Sequence, residues 1–115
     1  MLRGDIFLAD LDPAQGAEAA KRRPVVIVSN DGANTTASVM QRGVVTVVPV
    51  TSNVANVFPF QVLLPADDVG LDRDSKAQAE QVRSIAVGRI GAHVGRLTPE
   101  LTDRLDEALR LHLSL

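Results

Sequence analysis

Two runs of branched apolar residues limit this chain more than any other feature. PVVIVS (residues 24–29) and GVVTVVPVTS (residues 43–52) are rich in Val, Ile and Thr, side chains that pack well on a pleated strand and lose rotamer freedom in a helix. The first run is too short for a helix and apolar throughout, as expected of a strand covered on both faces. Each run also holds a proline. Pro24 suits a strand's first position, where its missing N–H costs least, and Pro49 argues for a bulge or an edge.

Other segments extend this pattern. RGDIFLADLD, from Arg3, reads as a first strand that Asp12-Pro13 ends, and FQVLLP reads as another. KAQAEQVRSIAVGRI has mixed periodicity and is expected to be mostly strand, with HVGRL one more short piece. PAQGAEAAKRR, NDGANTTASVMQRG, NVANVFP and ADDVGLDRDS read as loops or turns. The clear helix is the last. Thr98 is a good N-cap, Pro99 suits the first helical position, and Leu101, Leu105, Ala108, Leu109 and His112 form one stripe. A parallel α/β fold needs a helix between strands, and none is read there. The expectation is an α+β, mostly β fold: a small, partly closed barrel of antiparallel strands with a C-terminal helix. At 115 residues it is expected to be one domain, 1–115. Without Trp or Tyr, its core must be mainly aliphatic.

The absence of cysteine excludes disulfides, thiolate catalysis and Cys-based zinc sites. No apolar run approaches the roughly 20 residues of a membrane span. Acidic residues appear too early in MLRGDIFLADLD for a signal peptide. A cytoplasmic protein is expected, with no membrane partner. His93 and His112 are isolated; His93 is expected in a Gly-flanked turn without a partner nucleophile, and His112 at the core's edge. Asp67, Asp68, Asp72 and Asp74 lack the pattern of a calcium loop and read as a solvated turn. No metal ligand set and no cofactor is read. Chemistry by arginine, hydroxyl and carboxylate remains.

The net charge of −2 argues against nucleic acid, but its distribution does not. Residues 1–64 hold five cations and five anions, whereas the segment from Thr98 holds four acids against Arg104 and Arg110. The densest positive cluster, Lys21-Arg22-Arg23, stands at the mouth of the first buried run. Proline disfavours the helical region for its predecessor, so Arg23 should leave the loop extended, at the strand's edge. Its planar fork matches phosphate oxygens. On these grounds alone the triplet reads equally well as a solvated loop end.

RGDIFLADLDP, Gly16-Ala17-Glu18, Arg23-PVVIVS, VPV-Thr51-Ser52, Arg73-Asp74-Ser75 and Glu80-Gln81-Val82-Arg83-Ser84-Ile85, in this order and spacing along almost the whole chain, resemble the MazF/PemK family of toxin endoribonucleases. The resemblance implies an SH3-like barrel that forms a homodimer and cuts single-stranded RNA without metal, leaving a 2′,3′-cyclic phosphate and a 5′-hydroxyl. It further implies a cognate antitoxin whose acidic, flexible C-terminal segment occupies the RNA groove. By the same resemblance, Arg23 is the principal catalytic residue, Thr51 its hydroxyl partner, and Glu18 either a base for the 2′-hydroxyl or the group that orients Arg23. RNA binding would fall to Lys21, Arg22, Ser52, Phe58, Pro59, Ser75, Glu80, Gln81 and Arg83, with Lys21 and Arg22 mainly steering. Phe60 is expected to fill the core. Where Gly-Ser-Glu is common in the family, this chain has Gly16-Ala17-Glu18, which bears on the sequence it reads.

Two other functions stay open at this level. One is a non-enzymatic toxin of the same fold that blocks a topoisomerase, and the other is a single-strand RNA-binding barrel without cleavage. Arg23-Pro24 with Thr51-Ser52 favours cleavage, because a protein-blocking surface has no need of that pair.

Overall fold

The long β-branched runs pair with each other at the centre of the molecule. The computed structural model describes residues 1–11 and 22–115. Its strands are β1 (Asp5–Asp10), β2 (Arg22–Ile27), β3 (Val44–Thr51), β4 (Gln61–Leu64), β5 (Ser75–Gln78), β6 (Arg83–Ala86) and β7 (Ile90–Arg96). The helices are α1 (Asp31–Met40), α2 (Ala66–Val69) and α3 (Pro99–Leu113). Every strand pairing among the described residues is antiparallel, in the order β4-β5-β3-β2-β1-β7 with β6 also on β3. The sheet does not close on itself, because β4 and β7 stand at opposite ends of this order.

Successive side chains along a strand face opposite ways, and both faces of the central strands are covered. Val26, Val48 and Val50 pack with Leu101, Leu105 and Ala108 of α3. Val25, Ile27, Val45 and Val47 pack the other way, with Leu11, Ala37 and Ile85. The second face explains the unbroken apolar run of β2. Part of its cover is α1, in a segment expected to be loop. Asn30 caps this helix by accepting from Ala33 N at 2.9 Å, and Asn34, fully buried, replaces a core aliphatic. The Asn34 side chain accepts from Ser29 Oγ and donates to the Ser29 carbonyl at 2.8 Å, while Ser29 Oγ accepts from Thr46 N at 3.0 Å. Tertiary bonding thus offsets the weak helix propensity of Gly32, Asn34, Thr35 and Thr36.

Smaller corrections follow the same logic. Arg22 and Arg23 already belong to β2, so Pro24 is its third residue rather than its first. The stretch expected to be mostly strand after Ser75 is broken by 3-10 turns at residues 79–81 and 87–89. Residues 66–69 of the expected turn are the short α2, whose Ala66 N donates to Asp74 Oδ1 at 2.9 Å. Thr98 caps α3 as expected, but His112 is exposed; the buried stripe consists of Leu101, Leu105 and Ala108. No described helix is long and apolar enough to cross a membrane.

Candidate active site

Pro24 decides where the site opens. Toward their other ends β2 and β3 are paired, with Ile27 opposite Val47, Val26 opposite Val48 and Val25 opposite Pro49. The pairing stops there, as Pro24 has no N–H to offer. Strand β2 nevertheless continues against β1, through Leu8–Pro24, Ala9–Arg23 and Asp10–Arg22. The two central strands therefore part at Pro24. Extending their register by two residues brings Arg23 opposite Thr51 on one face. Arg22, Arg23, Thr51, Ser52 and Ser75 all line the resulting cleft of about 550 Å³.

The side chains there are held in different ways. Thr51 Oγ1 accepts from Asn53 N at 3.2 Å, which leaves its O–H to donate into the cleft. Ser75 is buried and donates to the Arg73 carbonyl at 3.0 Å. Arg22 does more than project into solvent. Its guanidinium lies over Gly91 of β7, so close that a Cβ at residue 91 would be 2.6 Å from Nη2. Leu71, Asp72 and Arg73, from the α2–β5 connection, complete one wall. Arg73 stands in a motif of the family resemblance yet had no expected role; its place on this wall comes from the path of the α2–β5 connection, which no local pattern reveals.

The other expected RNA contacts among the described residues do not line the cleft, and those around Phe58 form a second group. Phe58 is half exposed and stacks on Phe60, with ring centroids 5.6 Å apart and planes 5° from parallel. Phe60 therefore backs Phe58 and is absent from both core clusters, contrary to expectation. Pro59 is exposed beside them. Gln61 joins this corner to Glu80: its Oε1 accepts from Phe58 N at 3.2 Å and its Nε2 donates to Glu80 Oε2 at 2.6 Å. Glu80 Oε1, Gln78 Oε1 and Arg83 Nη1 are buried without hydrogen-bond partners. Gln81 is half-buried nearby in sequence, on the 79–81 turn.

Lys76 connects the two groups. It is the cross-strand partner of Thr51, its Nζ donates to the Asn56 carbonyl, and its ammonium stands 5.8 Å from the Phe58 ring centroid. Sequence reasoning passed over it because nothing local in Ser75-Lys76-Ala77-Gln78 reveals which residue lies opposite. Glu18 and Lys21 lie outside the described residues.

Both histidines sit apart from the cleft lining. His93 belongs to β7, not to a turn; its ring meets Phe7 edge-on at 5.0 Å, and Nε2 is 3.4 Å from Asp5 Oδ1. Burial alone would raise the Asp5 carboxyl, but hydrogen bonds from Leu2 N, Arg96 and His93 outweigh it and hold its pKa below the ordinary value. Among the described residues no three His, Cys, Asp or Glu side chains gather as a metal site would require.

Comparison with known proteins points to one family. Residues 2–113 match the family described as "PemK-like, MazF-like toxin of type II toxin-antitoxin system". Endoribonuclease MazF9 of Mycobacterium tuberculosis is 59% identical over 115 residues, covering 100% of this chain and 98% of that protein. Endoribonuclease EndoA of Bacillus subtilis is 33% identical over 114 residues, covering 98% and 94%. In fold, the chain superimposes on a crystal structure of MazF from Deinococcus radiodurans with a TM-score of 0.82 at 23% identity, covering 100% and 97% of the two chains. It also matches an endoribonuclease in complex with its cognate antitoxin from a mycobacterial species, with a TM-score of 0.78 at 23% identity, covering 100% and 96%.

Proposed function

This chain belongs to the PemK/MazF family of type II toxin–antitoxin toxins, and from that premise we propose that it is an endoribonuclease cutting single-stranded RNA at a short sequence, without a metal ion. The observation that supports this most is that Arg23 and Thr51, from separate strands, line one cleft.

The reaction is an internal transesterification. The 2′-hydroxyl loses its proton, its oxygen bonds to the adjacent phosphorus, and the bond from phosphorus to the 5′-oxygen breaks. The products are a 2′,3′-cyclic phosphate and a 5′-oxygen that takes up a proton. Negative charge accumulates on the phosphoryl oxygens on the way. A fixed guanidinium at Arg23 and a hydroxyl donor at Thr51 stabilise that charge more than they stabilise the ground state. Glu18 is assigned to take the 2′-proton or to orient Arg23. Ser52 and Ser75, within the cleft, bind the RNA backbone or bases, as does Arg22 from its seat on Gly91. Phe58 and Pro59 offer an apolar surface to an unpaired base, with Glu80, Gln81 and Arg83 as polar contacts and Lys21 as a steering charge. The catalytic unit spans residues 1–115, acts in the cytoplasm as a homodimer, and is restrained by an antitoxin whose acidic C-terminal segment competes for the same groove.

Digesting a long single-stranded RNA in EDTA and mapping the new 5′ ends tests the proposal. Cleavage at a recurrent short sequence, with 5′-hydroxyl ends, is expected. Arg23→Ala and Thr51→Ala should each lower the rate by about 10²–10³ while remaining folded. An RNA that is bound but left intact, or an Arg23→Ala protein that cuts at the wild-type rate, would refute it.

A further inference from the structure

We propose that Lys76 is a positioning residue: by fastening the loop of residues 52–60 to the sheet, it sets how tightly RNA is held beside Thr51. This deepens the reading of the chain as an RNA-cutting toxin and rests on it.

Lys76 is only 7% exposed, and lysine is almost never buried unless something pairs with it. The ion pairs among the described residues do not include it. Its partners belong to the loop instead. The ammonium donates to the Asn56 carbonyl and lies 5.8 Å from the Phe58 ring, within the range of a cation–π attraction that strengthens on desolvation. Its backbone, meanwhile, is opposite Thr51, where cross-strand Cβ atoms are about 5 Å apart. One side chain thus runs from the strand position facing Thr51 to the far limb of the loop that begins there.

The loop's other bonds do not do this. Asn53 N to Thr51 Oγ1 and Ala55 N to Asn53 Oδ1 each span two residues and shape the loop near its root on Thr51, without tying its far limb to a neighbouring strand. Gln61 secures the end at Phe58 N. The 54–57 limb is exposed and is held by Lys76. A loop already ordered loses less freedom when RNA arrives, and a base finds the half-exposed Phe58 ring in place. The effect should therefore appear in binding and far less in the chemical step.

The test is Lys76→Met, which keeps an unbranched stem and removes the ammonium. Steady-state kcat and KM are measured on an oligonucleotide carrying the mapped cut site. Kd is measured on the same oligonucleotide with a 2′-deoxy ribose at the scissile nucleotide. Kd and KM should rise about tenfold, the scale of losing one stacked base, with kcat falling far less. Phe58→Ala should have a similar effect, and the double variant should be no weaker than either alone, as expected of residues acting through one unit. Lys76→Arg should recover most of the affinity. If Lys76→Met does not fold, Lys76→Gln, which is uncharged and one atom shorter, carries the same test. Unchanged Kd, fully additive losses, or a fall in kcat at constant KM would overturn the proposal; the last would mean that Lys76 acts on the scissile phosphate itself. If the wild-type protein cuts no RNA, the cleavage reading fails by itself. The Kd comparison, run on a mixed-sequence single strand, then still decides the role of the loop.

Discussion

Gly95 offers a measurement of how firmly α2 is built against the sheet. It lies in β7 opposite Ile6, and a Cβ there would come within 2.2 Å of the Val69 carbonyl oxygen and 3.3 Å of its carbon. The first contact is about 0.8 Å inside the 3.0 Å below which real Cβ atoms are essentially not found. The obstacle is backbone, so no rotamer change relieves it. Nor can α2 simply lift away. Val69 is 3% exposed and packs in the same cluster as Leu101 and Leu105, and the helix ends on Gly70 at φ +84°, with its N–H on the Ala66 carbonyl. Overpacking a core typically costs about 1–3 kcal/mol, and a rigid obstacle places Gly95→Ala near the upper end, about 3 kcal/mol. For a domain near 100 residues this lowers Tm by roughly 10–20 °C. Gly88→Ala is the matched control, since a Cβ there meets nothing within 4 Å and should change stability by less than about 0.5 kcal/mol. Calorimetric melting of the three proteins decides the matter. The displacement should also weaken RNA cleavage well below Tm, because Gly70, Leu71 and Asp72 line the cleft. A Gly95→Ala protein that melts with Gly88→Ala and the wild type would refute the reasoning.

Two further outcomes follow from buried polar groups. Asp5 has a folded pKa below its ordinary value, so its contribution is fully present above about pH 4, the unfolded range, and is lost as pH falls through the depressed value; Asp5→Asn should flatten the acid limb of a stability–pH curve, and an unchanged limb would contradict this. Asn34→Ala strips the partner from the Ser29 carbonyl and hydroxyl and should cost about 1–3 kcal/mol in urea unfolding, whereas a smaller loss would show that α1 does not depend on that bond.

What the sequence disclosed was whatever rests on short-range pattern. PVVIVS and GVVTVVPVTS announced the central strands because burial on both faces leaves no polar alternation to confuse them. Thr98-Pro99 announced α3 because capping is a local hydrogen bond, here Leu101 N to Thr98 Oγ1 at 3.2 Å. The α1 segment stayed hidden because its reasons lie elsewhere in the chain: Arg3 N donates to Asp31 Oδ1 at 2.7 Å, and Thr46 N meets the Ser29 hydroxyl that Asn34 holds. Arg23 and Thr51 were singled out by family resemblance, while their convergence required the register. Lys76 and Gly91 were invisible for the same reason, since Lys76 matters through its cross-strand partner Thr51 and Gly91 through Arg22, which reaches it from beyond β1.

The two prolines, read in the sequence as strand-compatible irregularities, acquire a single explanation in the sheet. Pro49 introduces no bulge into the β2–β3 register, which runs without a slip through Val25–Pro49. On the other side of β3, however, Val44–Val47 pair with β6 and Val50–Thr51 pair with β5. Pro49 falls in the gap, where no ladder partner is required of it. Pro24 similarly falls where β2 leaves β3. A residue without an N–H costs least where a strand loses or exchanges a neighbour, and here both positions lie beside the pair that faces the cleft. Restoring the donor should therefore work against the site: with Pro24→Ala, pairing between β2 and β3 can continue toward Arg23 and Thr51 and narrow the opening. Stability should be kept or modestly raised while cleavage falls, and urea unfolding beside a cleavage assay would reveal that opposition. A Pro24→Ala protein that loses stability and activity together would mean that the proline supports the strand instead of parting it.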